Sequence, residues 1–143
     1  MRRFSLALLL FTAAGPAAAQ APPAPEGKPV SAEVSVQATL VAAFEAALAG
    51  DLQAYLATLH PESKETEVQR KQLERFEWQR FSRQAAWYLV SKAPVSFEVV
   101  RRGDTGPNST RVFVKDQKNK DRMPVPVRLK RHRTGWKITA NSL

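Results

Sequence analysis

The 143-residue chain has no cysteine. Neither a disulfide framework nor a lipid-modified N-terminal cysteine can therefore hold or anchor it, and the fold must stand on packing alone. Histidine is scarce as well: the 2 present are His60 and His132. They are not at the spacing of a metal-ligand pair, and no acid close in sequence is expected to orient either imidazole. No metal, no cofactor and no catalytic residue is assigned on this pattern. Acids are outnumbered, 13 against 22 Lys and Arg, a formal net charge of +9. Long apolar runs are scarce too: the run from Phe4 to Ala14 falls short of the roughly 20 residues that cross a hydrocarbon core, which makes a retained anchor the weaker alternative.

That short run reads instead as part of a secretory signal. Arg2 and Arg3 precede it, and Pro16 leads into Ala17-Ala18-Ala19, a small-residue cleavage pattern. The expectation is export by a cleavable signal over residues 1–19, cut after Ala19 or Ala21, to the periplasm or the cell exterior. Losing Arg2 and Arg3 lowers the bases from 22 to 20 against 13 acids, so the processed protein keeps a charge of +7 and attracts polyanions. Residues 20–31, QAPPAPEGKPVS, are proline-rich and suit an extended tether. What remains, 32–143, has the size of one globular domain.

In that domain Val36, Leu40, Val41, Phe44, Ala47 and Leu48 follow the i, i+3, i+4, i+7 rule, predicting a helix from Glu33 to Ala49 capped by Ser31 or Ser35. Gly50 is the expected left-handed stop. Asp51 then caps a short second helix whose Leu52, Tyr55, Leu56 and Leu59 share a face and which His60-Pro61 ends. A third helix is expected over 64–91, which lacks Gly and Pro and carries i, i+4 ion pairs Glu67 with Lys71 and Arg70 with Glu74. Its Leu73, Phe76, Phe81, Ala85, Tyr88 and Leu89 drift around the cylinder, which predicts a bend near 77–82.

After Pro94 the period becomes two. Val95, Phe97 and Val99 alternate with polar residues, RRGDTGPNS supplies a turn cluster, and TRVFVKD, RMPVPVRLKRH and WKITA follow as three further strands of a four-stranded antiparallel sheet. Pro124 and Pro126 share parity, which places them at an edge or beside a bulge. Trp136 and Ile138 point to the core, with Lys137 and Thr139 toward water.

This order, with Phe44, Ala47, Leu48, Gly50, Asp51 and Ala54 near its start and Gly135-Trp136-Lys137-Ile138 near its end, resembles the NTF2-like superfamily and its small exported bacterial members over about 33–142. The resemblance implies an α+β fold with N-terminal helices on the concave face of a curved four-stranded antiparallel sheet. It also implies a cone-shaped cavity, although the long charged helix leaves its closure unexplained. Motifs this short carry fold more than function.

The function expected is therefore a non-catalytic module that binds a small ligand or an envelope protein, with Tyr55, Trp87, Tyr88, Phe97 and Trp136 as pocket residues. An alternative is a cavity enzyme of the isomerase or dehydratase type, for which the resemblance points to Asp51, Tyr55, Tyr88 and Glu98. Asp51 is more simply a helix cap, Glu98 an outward strand residue, and Trp78 a core aromatic. A third reading uses a basic sheet face of Arg111, Lys115, Arg128, Lys130 and His132 to hold an anionic envelope surface. No aromatic is expected to interleave that stripe, which argues against nucleic acid. An apolar outer face would instead favour a homodimer through the sheet.

Overall fold

The computed structural model describes residues 32–143, with side chains from Val36 onward; the signal, the tether and Ser31 lie outside the described residues. Helix α1 (Ala32–Ala49) already contains Ser35, which is therefore not its cap. It buries Val36, Leu40, Ala43, Phe44, Ala46 and Ala47, while Leu48 is exposed. Gly50 adopts φ 67°, the left-handed conformation that glycine takes without Cβ strain. Asp51 Oδ1 accepts from the Ala54 N–H at 3.0 Å and starts α2 (Leu52–Ala57) as expected.

His60 caps a 3-10 turn, Pro61–Lys64, by accepting the Glu62 N–H on Nδ1 at 3.2 Å. The long helix then begins with a reciprocal capping box between Thr66 and Gln69. It runs as α3 (Glu67–Gln72), a π-turn (Leu73–Glu77), α4 (Trp78–Gln84) and a closing 3-10 turn, Ala85–Tyr88. The drift of its apolar residues thus arises from the wider π-turn just before the expected bend, since an extra residue in one turn shifts every later side chain around the axis.

The helix also ends earlier than expected. Leu89–Lys92 is strand β1, which pairs with β2 (Val95–Phe97) in a hairpin whose turn contains a cis Ala93–Pro94 bond. The four-stranded antiparallel sheet is β3 (Val99–Gly106), β4 (Ser109–Val114), β5 (Val125–His132) and β6 (Gly135–Asn141), in chain order. Its first strand therefore passes through RRGDTG, expected to be a loop, while Val95 and Phe97 belong to the hairpin. Pro126 pairs with Phe113 on β4, and the ladder to β6 starts only at Val127 with Asn141. The proline sits where β6 has ended, which is the edge that its missing N–H requires.

One face of the sheet meets the helices. Val112, Val114, Val127, Leu129, Trp136 and Ile138 are buried with Leu40, Phe44, Tyr55, Phe81 and Tyr88 in a continuous core. The Thr39 hydroxyl ties α1 to β6 by donating to the Trp136 carbonyl at 2.7 Å. Residues 58–60 run beside β6: Ile138 N–H donates to the Thr58 carbonyl at 2.9 Å, and His60 N–H to the Ile138 carbonyl at 2.7 Å.

Candidate functional site

The space between helices and sheet is occupied by rings. Phe44 stands 5.5 Å from Phe81 and 5.1 Å from Phe97, and Tyr55 stands 5.2 Å from both Trp78 and Phe81. Of the five expected pocket residues, Tyr55, Tyr88 and Trp136 are buried core, and Phe97 and Trp87 are partly buried against it. Lys118 Nζ lies 4.0 Å over the Trp87 ring. Asp51 is the cap of α2, and Glu98 is exposed beside Lys115 at 3.7 Å. Neither approaches a tyrosine hydroxyl by hydrogen bond.

A carboxyl does reach Tyr55, and it is one the sequence did not single out. The Tyr55 hydroxyl donates to Glu77 Oε2 at 3.3 Å and accepts from Asn141 Nδ2 at 3.1 Å, while Asn141 N–H donates to Glu77 Oε1 at 3.3 Å. Burial raises the Glu77 carboxyl above its ordinary value, against the lowering effect of the two hydrogen bonds and of Arg80. Burial first, then the neighbouring Glu77 charge, raise the Tyr55 hydroxyl as well. Tyr55 is 0% exposed, so these bonds tie the long helix to α2 and the end of β6 as a strut inside the core.

Above this strut lies a cleft of about 740 Å³ between the long helix and the end of β6, lined among others by Leu73, Phe76, Glu77, Arg80, Thr139 and Asn141. Arg80 forms part of its wall by donating from Nε to the Leu143 oxygen at 3.0 Å and from Nη2 to the Asn141 oxygen at 2.6 Å.

The second surface is the sheet face turned away from the helices. Parity places Arg111 and Phe113 on β4, Lys115 just past its end, and Arg128, Lys130 and His132 on β5 there, since Val112, Val114, Val127 and Leu129 between them are buried. The register sets Arg111 directly opposite Arg128, and Lys130 opposite Lys137. Lys130 is neutralised by Glu62 at 3.0 Å and Lys115 by Glu98 at 3.7 Å, and Lys137 Nζ donates to the Ala57 carbonyl at 2.8 Å. Among the described residues no acidic side chain pairs with Arg101, Arg111 or Arg128.

Contrary to expectation, an aromatic does interleave these cations. Phe113 faces the same side, with the Arg101 guanidinium 4.3 Å and that of Arg111 6.0 Å from its ring centre. Arg111 Nε is buried and has no hydrogen-bond partner. The flanking positions Gly103 and Ala140 carry little side chain, so the row Gly103, Arg111, Arg128, Ala140 is flat apart from its two guanidiniums.

The two histidines, distant in sequence, meet edge to face at 5.4 Å. His60 does have an acid to hand, Glu62, at 3.8 Å, against the reading of the sequence. Burial nevertheless lowers the His60 pKa, with His132 and Lys130 adding to the fall. Among the described residues no group of three or more His, Cys, Asp or Glu is placed to hold a metal ion, and no helix is long and apolar enough to cross a membrane. Comparison with family models, with curated proteins and with solved structures finds no match for this chain.

Proposed function

We propose that this chain is an exported, non-catalytic binding domain of the NTF2-like type, whose working surface is the outer face of a curved sheet, and that it holds a linear anionic polymer of the cell envelope there. The observation that carries this reading is the Arg111–Arg128 pair. Like charges directly opposite each other across a ladder are destabilising, and among the described residues no acidic side chain pairs with either guanidinium. A chain of phosphate or sulfate groups laid along the row supplies the missing counter-charge. Guanidiniums bind such groups through paired N–H donors, and the exposed Arg128 on this row presents such a donor set to the solvent.

Three further features support it. The signal-like N-terminus makes the envelope, rather than nucleic acid, the source of polyanion. Phe113 holds Arg101 and Arg111 by cation–π contact, so less side-chain freedom is lost on binding. The ring-filled interior favours binding on the outside over chemistry within. The same charge opposes pairing of two copies face to face, since two such faces repel.

Retention on immobilised heparin, a linear sulfated polymer, tests the proposal. The wild type is expected to elute at progressively weaker retention as salt rises. The triple variant Arg101→Ala, Arg111→Ala, Arg128→Ala should elute at much lower salt than a control, Lys71→Ala, Arg75→Ala, Arg83→Ala, which removes as many charges from the long helix. Equal loss in both triples would reduce the effect to net charge and refute the assigned face. So would binding to anionic lipid vesicles in the absence of any heparin binding.

A further inference from the structure

The geometry points to a second, separate site: we propose that the cleft between the π-turn and the end of β6 binds a small organic cation, an amine carrying an apolar group, with its charge on Glu77 and its apolar part on Phe76 and Leu73. Three independent features of that cleft converge on this ligand chemistry.

The first is the state of Glu77. It lies half-buried in the cleft wall and accepts two long hydrogen bonds, both at 3.3 Å. No cation stands within ion-pair distance of it among the described residues. The nearest candidate, Arg80, turns its guanidinium to the backbone oxygens of Asn141 and Leu143 instead. A half-buried carboxylate that feels Arg80 only at a distance, with no ion pair of its own, keeps part of its desolvation cost uncompensated, and a cation entering the cleft relieves that cost.

The second is Phe76. It is 70% exposed, adjacent to Glu77 and on the cleft rim. An exposed ring beside a carboxylate is the pair that attracts an ammonium group carrying hydrocarbon, through cation–π attraction and apolar contact together. The third is the backbone. Leu73, Phe76 and Glu77 all belong to the π-turn, a rare conformation that occurs disproportionately at functional sites. From this turn Glu77 reaches Tyr55 while the ring of Phe76, one residue before it, stays exposed. The cleft volume of about 740 Å³ suits a small molecule, being within the range of about 300–1,000 Å³ common for such sites.

The experiment is an NMR titration of the 32–143 region within the full chain, using benzylamine as the probe and benzyl alcohol and benzoate as its neutral and anionic counterparts. Benzylamine is expected to shift amide signals of residues 69–80 and 139–142 saturably, with the alcohol at least tenfold weaker and benzoate weaker still. Glu77→Gln should weaken benzylamine binding about tenfold, equivalent to about 1.4 kcal/mol, and Phe76→Ala several-fold. Phe76 is exposed, so that variant keeps its fold and carries the test even if Glu77→Gln does not. Equal binding of alcohol and amine, shifts confined to other regions, or unchanged affinity in Phe76→Ala would each overturn the proposal. Heparin retention should be the same in both variants, which separates failure of this site from failure of the basic face.

Discussion

Replacing Tyr55 by Phe removes one oxygen from the centre of the molecule and leaves the ring where it packs, 5.2 Å from Trp78 and 5.2 Å from Phe81. The consequences fall on the two groups that the hydroxyl serves. Asn141 is buried, and its amide Nδ2 loses the acceptor it holds at 3.1 Å; an unsatisfied buried donor costs about 1–3 kcal/mol. Glu77 loses a donor at 3.3 Å, a length at which little is at stake. The expected loss is therefore about 2 kcal/mol, most of it from the orphaned amide. In a domain of this size that lowers the midpoint of thermal unfolding by about 6–10 °C.

Tyr88 supplies the control within the same protein. It too is buried, but its hydroxyl has no hydrogen bond to a described residue. Tyr88→Phe orphans no protein partner and should thus cost clearly less than Tyr55→Phe. Thermal and urea unfolding of both variants, followed by circular dichroism, decide the matter. Equal effects of the two substitutions, or a Tyr55→Phe protein as stable as the wild type, would refute the strut.

Two other outcomes are expected. Trp136, 4% exposed, should cost about 3–5 kcal/mol when replaced by Ala, whereas Trp136→Phe should cost far less, because the lost indole Nε1 is a buried donor with no partner; urea midpoints would check both. For Glu77 the sign follows from a folded pKa raised by burial. Its contribution to stability is fully present below the unfolded value and is lost as pH rises through the folded one, so ionisation opposes the fold at neutral pH. Glu77→Gln should accordingly compare better with the wild type at pH 7 than at pH 4 in melting experiments. The reverse ordering would contradict the cause assigned to that shift.

Local chemistry was readable where a residue type has one dominant use. Gly50 with its left-handed φ, Asp51 as a cap, and the inward parity of Trp136 and Ile138 all follow from single-residue preferences. Tertiary pairing overrode the rest. Gly103, Asp104 and Gly106 are poor strand residues, yet pairing with β4 draws them into β3. The π-turn is written in good helix formers, so nothing local marks it. The contacts that Glu77 makes from it, to Tyr55 and Asn141, lie 22 and 64 residues away and so leave no local trace. Glu77 itself had one signal available, its place next to Trp78 and four residues before Phe81, both of which the structure buries. Phe113 could have been found by counting, because it shares parity with Arg111 and Lys115.

The segment beside β6 has a consequence for how the molecule meets its own kind. By taking up the free amide and carbonyl of Ile138, Thr58 and His60 close that margin of the sheet against an incoming strand. The opposite margin, along β3, is interrupted by irregular register at Val99/Arg101 and at Asp104/Gly106, which breaks the straight row of amides a neighbour would need. In a chain without cysteine cross-links, both flanks of the sheet are thus less open to an added strand, by the bridge at Ile138 on one side and by irregular register on the other.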